Sequence, residues 1–227
     1  MAAEPSPGPL PRRGIARLRV FDRTVEQVQR YADAWRAANT TELAASGPLW
    51  AVLGDSAAQG VGAASMQLGY VGQLRRMLEA RDGTEWRVIN LSRSGARTRE
   101  VVQVQLPALA QLGVPPDLVT AVVGGNDILH TRPARWRRDI DELVSRVPAG
   151  TLVATVSRGL RERKVGPIND YLLGAAARRD LPVADIWAHT GPPYRGKYAD
   201  PLHPNERGYA DWTAALAAAL GLPAAGG

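Results

Sequence analysis

The stretch LVTAVVGGND, residues 118–127, decides how this chain is read. Leu118–Val123 is a nearly unbroken apolar run, the pattern of a parallel strand covered on both faces. It then breaks into Gly124-Gly125-Asn126-Asp127, where small and polar residues replace the apolar ones. A strand that ends this way delivers polar groups to the edge of a sheet.

Similar runs lie on both sides. Leu49–Leu53 and Trp86–Leu91 precede it, and Leu152–Val156 and Pro182–Ile186 follow. The segments between them have helical spacing. Gln67–Ala80 places Leu68, Val71, Leu74 and Leu78 on one face, and Arg99–Leu112 is helical with a bend or break expected at Pro107. Helices are also expected over Trp136–Val147, Ile168–Arg179 and Glu206–Leu220. Strands alternating with helices imply a parallel sheet with helices on both faces, joined by right-handed crossovers. The expected fold is α/β: a three-layer α/β/α sandwich with a five-stranded parallel sheet, flavodoxin-like and doubly wound.

This domain is expected over residues 48–221. Residues 1–23 begin rich in Pro and Gly and are expected to be a disordered extension. Residues 24–47 are expected to hold a helix packed on the domain. Thr24 with Gln27 makes a capping-box pattern, and Val25, Val28, Ala32 and Trp35 share a face. A lid or partner-docking element is the alternative for this helix. Residues 222–227 are expected to be a flexible C-terminus.

Composition narrows the function. The 227 residues contain no cysteine, which removes disulfides, thiolate metal sites and a cysteine nucleophile. There are 28 basic and 22 acidic residues, giving a net charge of +6. The arginines are scattered and not interleaved with aromatics, so no nucleic-acid partner is expected. No apolar run approaches a membrane span, and no signal peptide is seen at the N-terminus. The expectation is a cytoplasmic protein, with peripheral attraction to anionic lipid left open.

In an open parallel sheet the ligand crevice lies outside the carboxyl ends of the strands. The residues there are Gly54-Asp55-Ser56, Ser92-Arg93-Ser94-Gly95 and Gly124-Gly125-Asn126-Asp127, with Asp200-Pro201-Leu202-His203 ahead of the last helix. A serine hydroxyl needs a base and donors for developing negative charge. There are three histidines (His130, His189 and His203), and His203 has a carboxylate three residues before it, Asp200. His130 and His189 are read as ordinary loop residues. The N–H groups of Ser56 and Gly95 and the Asn126 amide are candidate oxyanion donors. Gly60-Val61-Gly62 does not complete a dinucleotide fingerprint, because Ser65 stands where a third glycine would be.

Taken together, these motifs resemble the SGNH hydrolases, also called the GDSL esterase/lipase superfamily, over roughly residues 48–220. The resemblance implies a serine esterase that forms an acyl-enzyme on Ser56, with Asp200 and His203 completing the triad. It implies an oxyanion hole from Ser56, Gly95 and Asn126, and no cofactor or metal. Gly54, Asp55, Gly124 and Asp127 would support the site, Asp55 by shaping the turn and Asp127 as a brace. Ala57 stands where many members have Leu, which changes the wall of the site. The expected substrate is a small-molecule or lipid ester. Arg158-Gly159-Leu160-Arg161 and Tyr194-Arg195 are candidates for the crevice mouth, or else ordinary surface. An acyltransferase using the same acyl-enzyme, or a non-catalytic binding module on the same fold, are the alternative functions.

Overall fold

A strand covered on both faces must send alternate side chains into two different layers. The computed structural model, which describes residues 12–223, shows this in β1 (Leu49–Gly54). Trp50 and Val52 enter one core, and Ala51 and Leu53 enter the other. β2 (Arg87–Asn90), β3 (Leu118–Val122), β4 (Leu152–Ala154) and β5 (Val183–Ala184) complete an all-parallel sheet in the order β2-β1-β3-β4-β5. The chain therefore reverses its direction of travel between β1 and β3, where a crevice forms.

The first layer holds α1 (Arg12–Ala44), α2 (Tyr70–Asp82) and, at the chain's end, α9 (Glu206–Ala219). The second holds α3 (Thr98–Glu100), α4 (Leu106–Ala110), α6 (Pro133–Arg146) and α7 (Glu162–Ala177). Two short helices begin near strand ends, α5 (Asp127–His130) and α8 (Ile186–His189). The three-layer sandwich expected from the sequence is the observed fold.

Several local expectations need correction. The first helix is not confined to the region after residue 23, because α1 already begins at Arg12. Between Arg12 and Ala44 there is no proline and a single glycine, Gly14, so nothing in that stretch stops a helix. The proline-rich residues 1–11 lie outside the described residues. Pro107 does not open a gap. Val101–Gln105 forms a π-helical stretch, and Pro107 follows in the first turn of α4, where its missing N–H costs little. At the other end, Leu222 is buried in the first core and is not part of a loose tail. Residues 224–227 lie outside the described residues.

Candidate active site

The end of β1 places Asp55 and Ser56 in a tight turn. The Ser56 carbonyl accepts from the N–H of Gln59 (3.2 Å) and of Val61 (3.1 Å). Asp55 turns inward, and its Oδ1 accepts the Ala57 N–H at 2.9 Å. Burial pushes the Asp55 carboxyl up to about 6, against the pull of the Ala57 N–H. The sequence assigned Asp55 to shaping this turn, and the hydrogen bond to Ala57 has that geometry.

His203 reaches the turn from the loop before α9. Its Nε2 lies 2.9 Å from Ser56 Oγ, and its Nδ1 lies 2.7 Å from Asp200 Oδ2. An ionised carboxylate only accepts, so Nδ1 carries the proton and Nε2 is free to take one. Asp200 Oδ1 accepts the N–H groups of Leu202 (2.7 Å) and His203 (2.8 Å), while Oδ2 also accepts the Thr24 hydroxyl at 2.9 Å. Burial alone would raise the Asp200 carboxyl. The His203 ring and the N–H donors outweigh it and hold the group well below the usual carboxylate range.

The loop is fixed at both ends. Ala199 donates to the His203 carbonyl at 2.9 Å and Asn205 to the Lys197 carbonyl at 3.0 Å. Asn205 then caps α9, accepting from the N–H of Arg207 and Gly208. Gly62 packs against this loop so closely that an added Cβ would strike the Pro204 carbonyl and stand 2.9 Å from His203 Cβ. Its φ of +100° also suits only glycine. Gly62, the second glycine of the pair that failed as a dinucleotide fingerprint, thus makes room for His203.

The candidate oxyanion donors lie at neighbouring strand ends. Among the described residues no backbone carbonyl accepts from the N–H of Ser56 or of Gly95. Gly95 has φ +79°, although a Cβ there would meet nothing within 4 Å. A glycine suits that left-handed backbone conformation. The Asn126 amide donates to the Ala96 carbonyl at 3.0 Å, which ties it beside Gly95 and leaves its second N–H to point elsewhere. Asp127 is fully buried and accepts from the Thr98 N–H (2.8 Å) and from the hydroxyls of Thr98 (3.0 Å) and Thr131 (2.5 Å). It has the contacts of a brace, and burial raises its carboxyl.

Three amide side chains that the sequence reading missed hold the strand ends. Gln105 accepts the Gly54 N–H and donates to the Gly54 carbonyl, both at 2.8 Å. Asn169 treats Val156 in the same way, at 2.9 Å for each bond. Asn39 accepts the Asn90 N–H at 2.8 Å and donates to its carbonyl at 2.9 Å. Each amide replaces the neighbouring strand where the sheet opens. Gln105 and Asn169 could have been found as polar residues on otherwise apolar helix faces.

Helix α1 joins the site along a face that overlaps the expected one, with Trp35 buried and Val28 and Ala32 half-buried, but without Val25. Val25 is 69% exposed, whereas Thr24, Tyr31 and Trp35 are buried. Gln27 accepts the Gly62 N–H at 2.9 Å and donates to Ala63, Tyr31 donates to the same Ala63 carbonyl, and Trp35 donates to Gln59. Thr24 and Gln27 are inside the helix, so they form no capping box. Periodicity of apolar residues missed the polar part of this face, which grips backbone polar groups.

A cavity of about 340 Å³ adjoins the site. Asp55, Gly125 and Asp200 stand at one side, and Val122, Ile128, Val156, Leu160 and Trp212 supply apolar walls. Arg158, Gly159, Leu160 and Tyr194 also line it; Arg161 and Arg195 do not. The Arg158 guanidinium is committed elsewhere, donating to the Trp187 carbonyl and lying 4.8 Å from that ring's centre. His130 and His189 are exposed ends of short helices, and His189 Nδ1 lies 2.9 Å from the Asp185 carbonyl. No helix among the described residues is long and apolar enough to cross a membrane.

The model of a family described as GDSL-like Lipase/Acylhydrolase matches residues 52–210. Among curated proteins, none matches the sequence. Solved structures with the same fold include the lipase Lip_vut3 from goat rumen metagenome, with TM-score 0.67 and 20% identity, covering 76% of this chain and 97% of that one. TesA has TM-score 0.65 and 23% identity over 76% of this chain and 97% of its own. A catalytic mutant of Axe2, an acetylxylan esterase from Geobacillus stearothermophilus, has TM-score 0.65 and 18% identity, covering 80% of this chain and 98% of that one.

Proposed function

Because the chain belongs to the GDSL-like lipase/acylhydrolase family and is a serine hydrolase, we propose that it hydrolyses a carboxylic ester through an acyl-enzyme on Ser56. The observation that carries this reading is the hydrogen-bonded chain Ser56–His203–Asp200, with steps of 2.9 and 2.7 Å.

His203 Nε2 takes the Ser56 proton as Oγ attacks the ester carbonyl. Charge moves to the carbonyl oxygen, where the N–H groups of Ser56 and Gly95 and the Asn126 amide act as donors. Removing one such donor typically raises the barrier by about 3–4 kcal/mol. Asp200 remains ionised, holds Nδ1–H and stabilises the imidazolium. His203 gives the proton to the leaving alcohol, and the tetrahedral intermediate collapses to an acyl ester on Ser56. A water, deprotonated by His203, then attacks that ester. The acid leaves, and Ser56 regains its proton.

The largely apolar cavity beside Asp55 and Gly125 supports an ester with an apolar portion, and its size is in the usual range for ligand pockets. Hydrolysis of p-nitrophenyl acetate and butyrate tests the reading. Wild type should turn over these esters, and Ser56→Ala should lose about 10⁴-fold or more in kcat. Equal rates in the two would remove Ser56 from the chemistry.

A further inference from the structure

We propose that Thr24, on helix α1 and outside the family-matched residues 52–210, is a positioning residue for Asp200. This rests on the reading of Asp200 and His203 given above.

Asp200 accepts four hydrogen bonds among the described residues. Those from the Leu202 N–H, the His203 N–H and the His203 ring come from its own loop, and they move with it. The bond from the Thr24 hydroxyl, at 2.9 Å, comes from another element. It falls on Oδ2, the oxygen that also holds His203 Nδ1. It therefore sets where that oxygen stands relative to the rest of the molecule.

The same helix holds the other half of the site. Gln27, Tyr31 and Trp35 bond to Gly62, Ala63 and Gln59, which follow Ser56 in the chain. One rigid helix thus registers both the serine's segment and the acid's loop. A hydroxyl at position 24 fixes the second half against the first, and a methyl group there does not. Thr24 acts through Asp200 and touches no reacting atom.

The test uses the full chain with Thr24→Val, Thr24→Ala and Thr24→Ser. With p-nitrophenyl butyrate, Val and Ala should lower kcat about tenfold while KM stays within about twofold, since a hydrogen bond to a charged group is lost and no substrate contact is. The rate of Ser56 labelling by a fluorophosphonate should fall by the same factor. Thr24→Ser keeps the hydroxyl and should recover most of both rates. If Thr24→Val does not fold, the Ser–Ala comparison decides. Wild-type kcat in Thr24→Ala overturns the proposal, and so does a Ser variant as slow as Ala. Ser56→Ala run alongside separates the two readings. An inactive Ser56→Ala with an unaffected Thr24→Ala rejects Thr24 alone, and a fully active Ser56→Ala rejects the ester mechanism itself.

Discussion

Gln105 grips Gly54 by both backbone groups, its amide oxygen accepting the N–H and its amide nitrogen donating to the carbonyl, each at 2.8 Å. Gly54 is the last residue of β1, two residues before Ser56, and Gln105 is 1% exposed. Replacing Gln105 with Leu keeps the volume and orphans the Gly54 N–H, while the Gly54 carbonyl keeps the Arg93 N–H at 3.3 Å. The expected loss is about 1–3 kcal/mol of stability, the cost of one unsatisfied buried group. Urea unfolding measures it. A Leu variant as stable as wild type would remove the amide from this role.

Gly62→Ala should damage the site without touching a reacting atom. The added methyl meets Pro204 and His203 Cβ, and the backbone is held at φ +100°. Something in the His203 loop must shift, and a shift of about 1 Å can cost about 100-fold in rate. The expected result is a fall in kcat for p-nitrophenyl butyrate of at least about tenfold. Unchanged kcat would mean that the loop absorbs the methyl freely.

Asp55→Asn should be more stable than wild type at high pH and not at low pH. The carboxyl titrates at about 6 in the folded protein against 3.8 ordinarily. Between these values the folded state holds a proton that the unfolded chain has lost. Stability therefore falls as pH rises from about 4 to 6 and then levels off, a cost of about 3 kcal/mol at most for two pH units. Asn carries no charge and can still accept the Ala57 N–H. Unfolding at pH 4.5 and pH 8 should show the variant gaining about 2 kcal/mol or more at the higher value only. The same difference at both pH values would contradict the burial argument.

Ile128→Trp should narrow the cavity and shift ester preference toward short chains. Ile128 is 4% exposed and lines the apolar wall. Turnover of p-nitrophenyl esters from acetate to decanoate would show it. The expected change is a loss of at least about tenfold in kcat/KM on the longest esters, with acetate within about threefold, since pocket size discriminates by 10–200-fold. A uniform change across the series would place the acyl chain elsewhere.

The sheet was legible in the sequence because buried parallel strands are written as apolar runs, and LVTAVV could be little else. Asp200 and His203 were legible as a pair because they stand three residues apart in one loop, whereas the pairing of Ser56 with His203, 147 residues away, was carried by the resemblance of the motifs. The features that escaped have partners far along the chain. Nothing near Gln105 refers to Gly54, and nothing near Asn169 refers to Val156. Helix α1 escaped for a second reason. Its packed face is Thr24, Gln27, Tyr31, Trp35 and Asn39, which hydropathy scores as mixed, so the apolar spacing found Trp35 but counted the exposed Val25 and passed over the polar residues. The start at Arg12 was missed because Pro and Gly at the terminus outweighed the helix formers that follow.

The bond between Asn39 and Asn90 has a further consequence. Among the described residues, β2 pairs with β1 on one side and with no strand on the other. Its outer rim is where a second molecule would add a strand of its own. Asn39 fills both hydrogen-bonding positions of Asn90 on that rim, as a neighbouring strand would. A stray β-strand therefore finds the outer N–H and carbonyl of Asn90 already taken, and the helix that helps assemble the site also shields the sheet from aggregation along that edge.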